Sequence, residues 1–101
     1  MSLCETRIEN ETATVVLGGE VDLSWSAQVR REVLAALTKA PKVAIDLSQV
    51  SYIDSSGIAA LVEGFQNARG KGQVFELVRV SPAVLAVLKL ARLDQVFNIR
   101  E

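Results

Sequence analysis

Val43-Ala44-Ile45-Asp46-Leu47, followed by Ser51-Tyr52-Ile53-Asp54-Ser55-Ser56-Gly57 and then an apolar run from Ile58 to Ala68, is the order that decides the fold. The first piece, opening at Lys42, is a near-continuous apolar strand, the pattern of burial on both faces of a parallel sheet. The last piece places Ile58, Leu61, Val62 and Phe65 on one face of a helix. The polar turn between them sets hydroxyls and backbone N–H groups at a helix N-terminus, where the macrodipole favours negative charge. Asp54-Ser55-Ser56-Gly57 then has two readings. As caps, these residues accept hydrogen bonds from first-turn N–H groups. As a functional turn, they offer a serine to be modified or to hold an anion.

Upstream, Thr6 to Glu9 and Thr12 to Leu17 are short β-type runs around the polar pair Asn10-Glu11, which suits a hairpin turn. Gly18-Gly19 breaks that pattern, and Glu20-Val21-Asp22 leads to Ser24 or Ser26 as N-cap of a first helix. Val29, Val33 and Leu37, widened by Leu34, form its apolar stripe, and it ends before Pro41. Downstream, Gly70-Lys71-Gly72 stops the second helix, and Val74 to Val80 supplies another strand. Ser81-Pro82 opens a third helix with Val84, Leu85, Leu88 and Ala91 toward the core. Gln95 to Ile99 reads as a short edge strand or a final turn. The predicted order is β-β-α-β-α-β-α: an α/β fold with a mixed sheet and helices packed on it, as one domain over residues 1–101.

Composition removes several function classes. The chain of 101 residues has no His, so a Ser-His-Asp triad cannot be built. Neither Lys39 nor Lys42 has a sequence reason to meet Ser55 in a dyad, and no catalytic residue is assigned. One cysteine, Cys4, gives no intrachain disulfide and, without His, no conventional zinc cluster; it reads as a small apolar residue. A net charge of −1 supplies no basic field for a phosphate backbone, so nucleic acid is not expected as a direct partner. The N-terminus does not look like a signal peptide and no run approaches the ~18 apolar residues of a membrane span, so a cytoplasmic protein is expected. Gly70-Lys71-Gly72 after a helix reads as a turn, not a phosphate loop, and no metal or cofactor is expected.

Four ordered pieces, Gly19-Glu20-Val21-Asp22, Ala44-Ile45-Asp46-Leu47, Tyr52-Ile53-Asp54-Ser55-Ser56-Gly57-Ile58 and Val80-Ser81-Pro82-Ala83-Val84, together resemble the STAS domain over essentially the whole chain. Within that family the chain is most similar to bacterial anti-sigma factor antagonists, which bind an anti-sigma factor kinase. The resemblance implies that Ser55 is the residue phosphorylated, that phosphorylation disrupts the complex, and that Asp22 lies near the serine as a kinase contact. By its residues alone, Asp22 also reads as a capping carboxylate. The chain departs from the family's frequent Gly-Leu-Gly with Gly57-Ile58-Ala59-Ala60. The family also includes STAS subunits of ABC-type lipid transport systems, which dock on the ATPase without a phosphoserine cycle; this is the alternative reading.

The expected partner surface comprises Asp22, Trp25, Asp54, Ser55, Ser56, Gly57 and Glu63. Trp25, near the start of the first helix, reads either as an interface anchor or as a staple on the sheet edge. Tyr52 reads as core with its hydroxyl at the surface. Glu63 lies off the apolar stripe and is expected to be exposed.

Overall fold

Asn10 and Glu11 take φ values of 50° and 64°, the paired left-handed geometry of a two-residue hairpin turn whose twist matches its strands. They join β1 (Leu3–Glu9) to β2 (Thr12–Val21). The computed structural model describes residues 3–100. After the hairpin come α1 (Ser26–Leu37), β3 (Lys42–Ile53), α2 (Ser55–Gly70), β4 (Val74–Val78), α3 (Pro82–Leu90), a 3-10 turn (Leu93–Gln95) and β5 (Asn98–Arg100). The strands lie side by side in chain order, with β1 antiparallel to β2 and every later neighbour parallel. The α/β class and the mixed sheet are those expected.

Ala13, Val15 and Leu17 of β2, Val43, Ile45 and Leu47 of β3, and Phe75 and Leu77 of β4 are buried in one cluster with Val29, Val33, Ala36 and Leu37 of α1 and Ala60, Leu61 and Ala68 of α2. Thr12, Thr14, Lys42, Ala44, Asp46 and Glu76 alternate with these residues and line a shallow concavity of about 540 Å³ on the other face. Ala44 and Asp46 remain buried there, so the apolar look of β3 does reflect low exposure on both faces. Phe65 is half-buried and meets Phe75 and Phe97 edge-on, with centroids 6.3 and 5.5 Å apart.

Several local expectations are corrected. Gly18-Gly19 does not end β2. The β2–β3 register shifts between Val16 and Gly18 and again between Gly19 and Glu20, and Gly19 takes φ 82°, so the glycines absorb two irregularities while pairing continues to Val21↔Ile53. For the same reason β3 runs past Leu47 to Ile53 and delivers the chain directly to Asp54. Tyr52 is not core: it is 51% exposed, because Val50 and Ile53 take the inward positions at this end of β3.

Neither Ser24 nor Ser26 caps α1. The N-cap position belongs to Trp25, whose side chain caps nothing; the Asp22 carbonyl accepts the N–H groups of Trp25 and Ser26 at 3.1 and 2.9 Å instead. β4 ends at Val78, where Arg79 turns the chain at φ 52°. In α3, Val84 and Leu88 are buried as expected, Leu85 is half-buried, and Ala91 lies exposed just past the helix end. The chain closes with both a helical turn and an edge strand.

Candidate functional site

The C-terminal ends of β2 and β3 emerge side by side, and a single carboxylate holds both the loop beyond β2 and the helix beyond β3. Asp54, in extended conformation, is the N-cap of α2. Its Oδ1 accepts the Ser56 N–H at 2.9 Å, the Gly57 N–H at 3.0 Å and the Ser56 hydroxyl at 2.6 Å. Its Oδ2 accepts the Leu23 N–H at 3.1 Å from the β2–α1 loop, and its own N–H donates to the Val21 carbonyl at 3.1 Å. The Ser56 hydroxyl first, then the Gly57 N–H, hold its carboxyl below the ordinary carboxylate range. The capping reading of this turn is therefore what the geometry displays for Asp54.

The two serines are not equivalent. Ser56 is half-buried and its hydroxyl is spent on Asp54. Ser55, the first residue of α2, is exposed, and its hydroxyl has no hydrogen-bond partner among the described residues. Gly57 is buried. A Cβ there would lie 2.7 Å from both the Ile53 side chain and the Val21 carbonyl oxygen, so the glycine allows the first turn of α2 to sit on the strand ends. Ser55 is thus presented outward by a turn fixed on its inner side.

Asp22 turns its carboxylate into its own loop, where Oδ1 accepts the N–H of Ser24 at 3.0 Å and the Ser24 hydroxyl. Trp25 is half-buried against the core, and its indole N–H donates to the Glu20 carbonyl, so it staples the loop to the end of β2. Glu63 sits two turns beyond Ser55 on α2. It is half-buried, not freely exposed as expected, because it forms a close ion pair with Arg30 of α1. Asp22 and Trp25 lie on the β2–α1 loop that Asp54 holds through the Leu23 N–H, with their own side chains bonded to Ser24 and to the Glu20 carbonyl, while Glu63 belongs to the α1–α2 seam.

Two residues of this region escaped the sequence reading. Leu23 is 78% exposed on a loop pinned on both sides of it, and a lone leucine between Asp22 and Ser24 carries no periodic signal. Gly64 lies mid-helix, where a Cβ would meet Val33 at 2.5 Å and Phe75 at 3.0 Å; an interior helix glycine was the available clue to close helix packing. No helix among the described residues is long and apolar enough to cross a membrane.

A family model described as "Mlab, STAS domain" matches residues 4–101. The anti-sigma-B factor antagonist of Bacillus subtilis (strain 168) is 30% identical over 86 residues, covering 84% of this chain and 78% of that protein. Among solved structures, an anti-sigma factor antagonist from Mycobacterium paratuberculosis superposes with a TM-score of 0.90 at 24% identity, covering 99% of this chain and 86% of that one. An anti-sigma-factor antagonist (STAS) domain protein from Planctomyces limnophilus superposes with a TM-score of 0.83 at 28% identity, covering 98% and 89%. A family match over all but the first three residues, with a relative this similar over most of both chains, means that the chain belongs to the STAS domain family, alongside proteins named anti-sigma factor antagonists.

Proposed function

We propose that this protein is a cytoplasmic anti-sigma factor antagonist that binds an anti-sigma factor kinase through the β3–α2 turn and is released by phosphorylation of Ser55. On this reading residues 1–101 act as one non-catalytic interaction domain that regulates sigma-factor-dependent transcription. The observation that carries it is the contrast between the serines: the Ser56 hydroxyl is committed to Asp54, whereas the Ser55 hydroxyl is exposed and unengaged. The likeness to named antagonists supports the same reading.

The charge change suits a switch that leaves the fold intact. Phosphorylation adds about −1.5 to −2 charges at the N-terminus of a sixteen-residue helix, where the macrodipole tolerates an anion. Asp54 already occupies the N–H groups of Ser56 and Gly57. The phosphate therefore stays on the surface beside a carboxylate, and a partner that covers the turn meets two anions instead of a neutral hydroxyl. Asp22, Trp25, Gly57 and Glu63 complete the proposed contact surface, with Trp25 and Gly57 acting by shaping it.

The test is phosphate mapping by mass spectrometry after incubation with the cognate kinase and ATP, together with calorimetry on variants. One phosphate on Ser55, binding retained by Ser55→Ala, and binding weakened by roughly 1–3 kcal/mol in Ser55→Asp are expected. Phosphate confined to Ser56, or equal affinities for wild type and Ser55→Asp, would overturn the switch. Capture of a lipid-transporter ATPase by the unphosphorylated protein, with no kinase binding, would establish the alternative subunit role.

A further inference from the structure

At the opposite side of the sheet's carboxyl edge, β4 and β5 end next to each other and α3 begins. An apolar cavity of about 470 Å³ opens between them, walled by Val80, Pro82, Leu85 and Ile99 and flanked by Arg79 and Arg100. Its size falls in the range of small-molecule sites, and it opens where the parallel strands β4 and β5 end together, at Val78↔Arg100. Nothing in the Ser55 reading uses it.

We propose that this cavity binds a small organic acid with an apolar tail, its ionised carboxylate held between Arg79 and Arg100 and its tail laid on Val80, Leu85 and Ile99. Charge complementarity fixes the class of ligand. No carboxylate side chain lines the cavity among the described residues, and the two flanking residues are guanidinium donors, shared with the adjoining concavity where Asp46 and Glu76 lie, of a kind that suits planar, bidentate carboxylate recognition. Their donors are largely unspent. Arg79 is mostly exposed and reaches a protein carboxylate only through a 4.0 Å approach to Asp46. Arg100 engages Glu76 through one terminal nitrogen, at 3.3 and 3.4 Å from the two carboxylate oxygens. The N-terminus of α3, capped by Ser81, adds a favourable dipole for an anion at the same end.

The flanks are also preorganised. Arg79 is held at φ 52°, a conformation costly for a side-chain-bearing residue, and its N–H donates to the Arg100 carbonyl at 3.1 Å. That bond fixes the spacing of the two guanidinium-bearing backbones. A glycine would hold this φ without strain.

The experiment is a titration of the full chain with hexanoate, octanoate and decanoate below micelle formation, followed by amide chemical shifts. Saturable shifts are expected at Arg79, Val80, Leu85, Ile99 and Arg100, with affinity rising with chain length. Decyltrimethylammonium, with the same tail and the opposite charge, should leave these amides unmoved. Arg79→Gly removes the guanidinium while suiting the local φ; it should lower decanoate affinity about tenfold or more without lowering the melting temperature. Affinity independent of chain length, equal binding of the cationic amphiphile, or an unchanged Arg79→Gly titration would overturn the proposal. So would shifts produced only by phosphatidylglycerol vesicles and not by the free acids, which would make the surface a membrane contact.

Discussion

The carboxylate of Asp54 and the backbone N–H of Leu23, 31 residues apart in sequence, are joined at 3.1 Å. One oxygen of that carboxylate caps α2 while the other anchors the β2–α1 loop, so the helix bearing Ser55 and the loop bearing Asp22 and Trp25 are held by one side chain. A partner that grips one of them also meets the other in fixed relation.

Asp54→Ala should therefore lower the melting temperature by several degrees and loosen both segments, seen as faster amide exchange at Leu23 and Ser56 together. Asp54→Asn keeps a capping oxygen and should retain most of the stability. The two also differ in acid. The folded carboxyl titrates below its ordinary value of 3.8, so its ionised contacts stabilise the fold above that value and are lost as pH falls through the lower folded one. Denaturation curves from roughly pH 5 to pH 2 should show this loss in wild type and its absence in Asp54→Asn.

Gly57 and Gly64 invert the usual rule for helix glycines. In an open helix interior, Gly→Ala gains up to about 1 kcal/mol. Here a methyl at Gly57 would press on Ile53 and Val21, and one at Gly64 on Val33 and the Phe75 ring. Each substitution should cost about 1–3 kcal/mol, measured by urea unfolding. Gly70 has open space around its Cα, and Gly70→Ala, at the helix end, should cost no more than about 0.5 kcal/mol.

The contrast between these glycines also marks how far the sequence could be read. Periodicity located the three α-helices, because Val29, Val33 and Leu61 sit at the spacing their burial requires, while the last residues stayed open between a turn and an edge strand and hold both. The extended pairing of β2 with β3 was hidden, since Gly18-Gly19 is locally a breaker and continues only because β3 pairs across it. The serine turn was legible as a cap, but the assignment of the Ser56 hydroxyl to Asp54, which singles out Ser55, is a matter of rotamer. Glu63 looked like a free surface charge because Arg30, 33 positions earlier, is brought opposite it only by the packing of α1 on α2.

Cys4 should be a poor nucleophile. Partial burial, and then the nearby Glu32 charge, push its thiol from 9.0 up to about 11. Near pH 8 the folded thiolate fraction is then on the order of 100-fold below that of the unfolded chain, and alkylation should be correspondingly slow until denaturant is added. A neutral thiol favoured by the fold stabilises it below pH 9, and that contribution is lost as pH rises through about 11. Cys4→Ala should flatten the alkaline limb of the stability profile.

The Arg30–Glu63 pair separates the seam between helices from any surface used by a partner. Both side chains are roughly half exposed, so the pair is worth only about 0.2–1 kcal/mol. Glu63→Lys replaces attraction by repulsion against Arg30 and should cost about 1 kcal/mol, more than a free surface charge would. The double exchange Arg30→Glu with Glu63→Arg restores opposite charges in the same place and should recover most of that loss, measured as a double-mutant cycle in urea. Binding kinetics then read the second role. If the kinase docks along α2, the exchanged protein, though stable, should associate more slowly because the charge at the rim of the Ser55 surface is reversed. Recovery of stability with unchanged association would confine Glu63 to the seam and restrict the proposed interface to Asp22, Trp25 and the turn from Asp54 to Gly57.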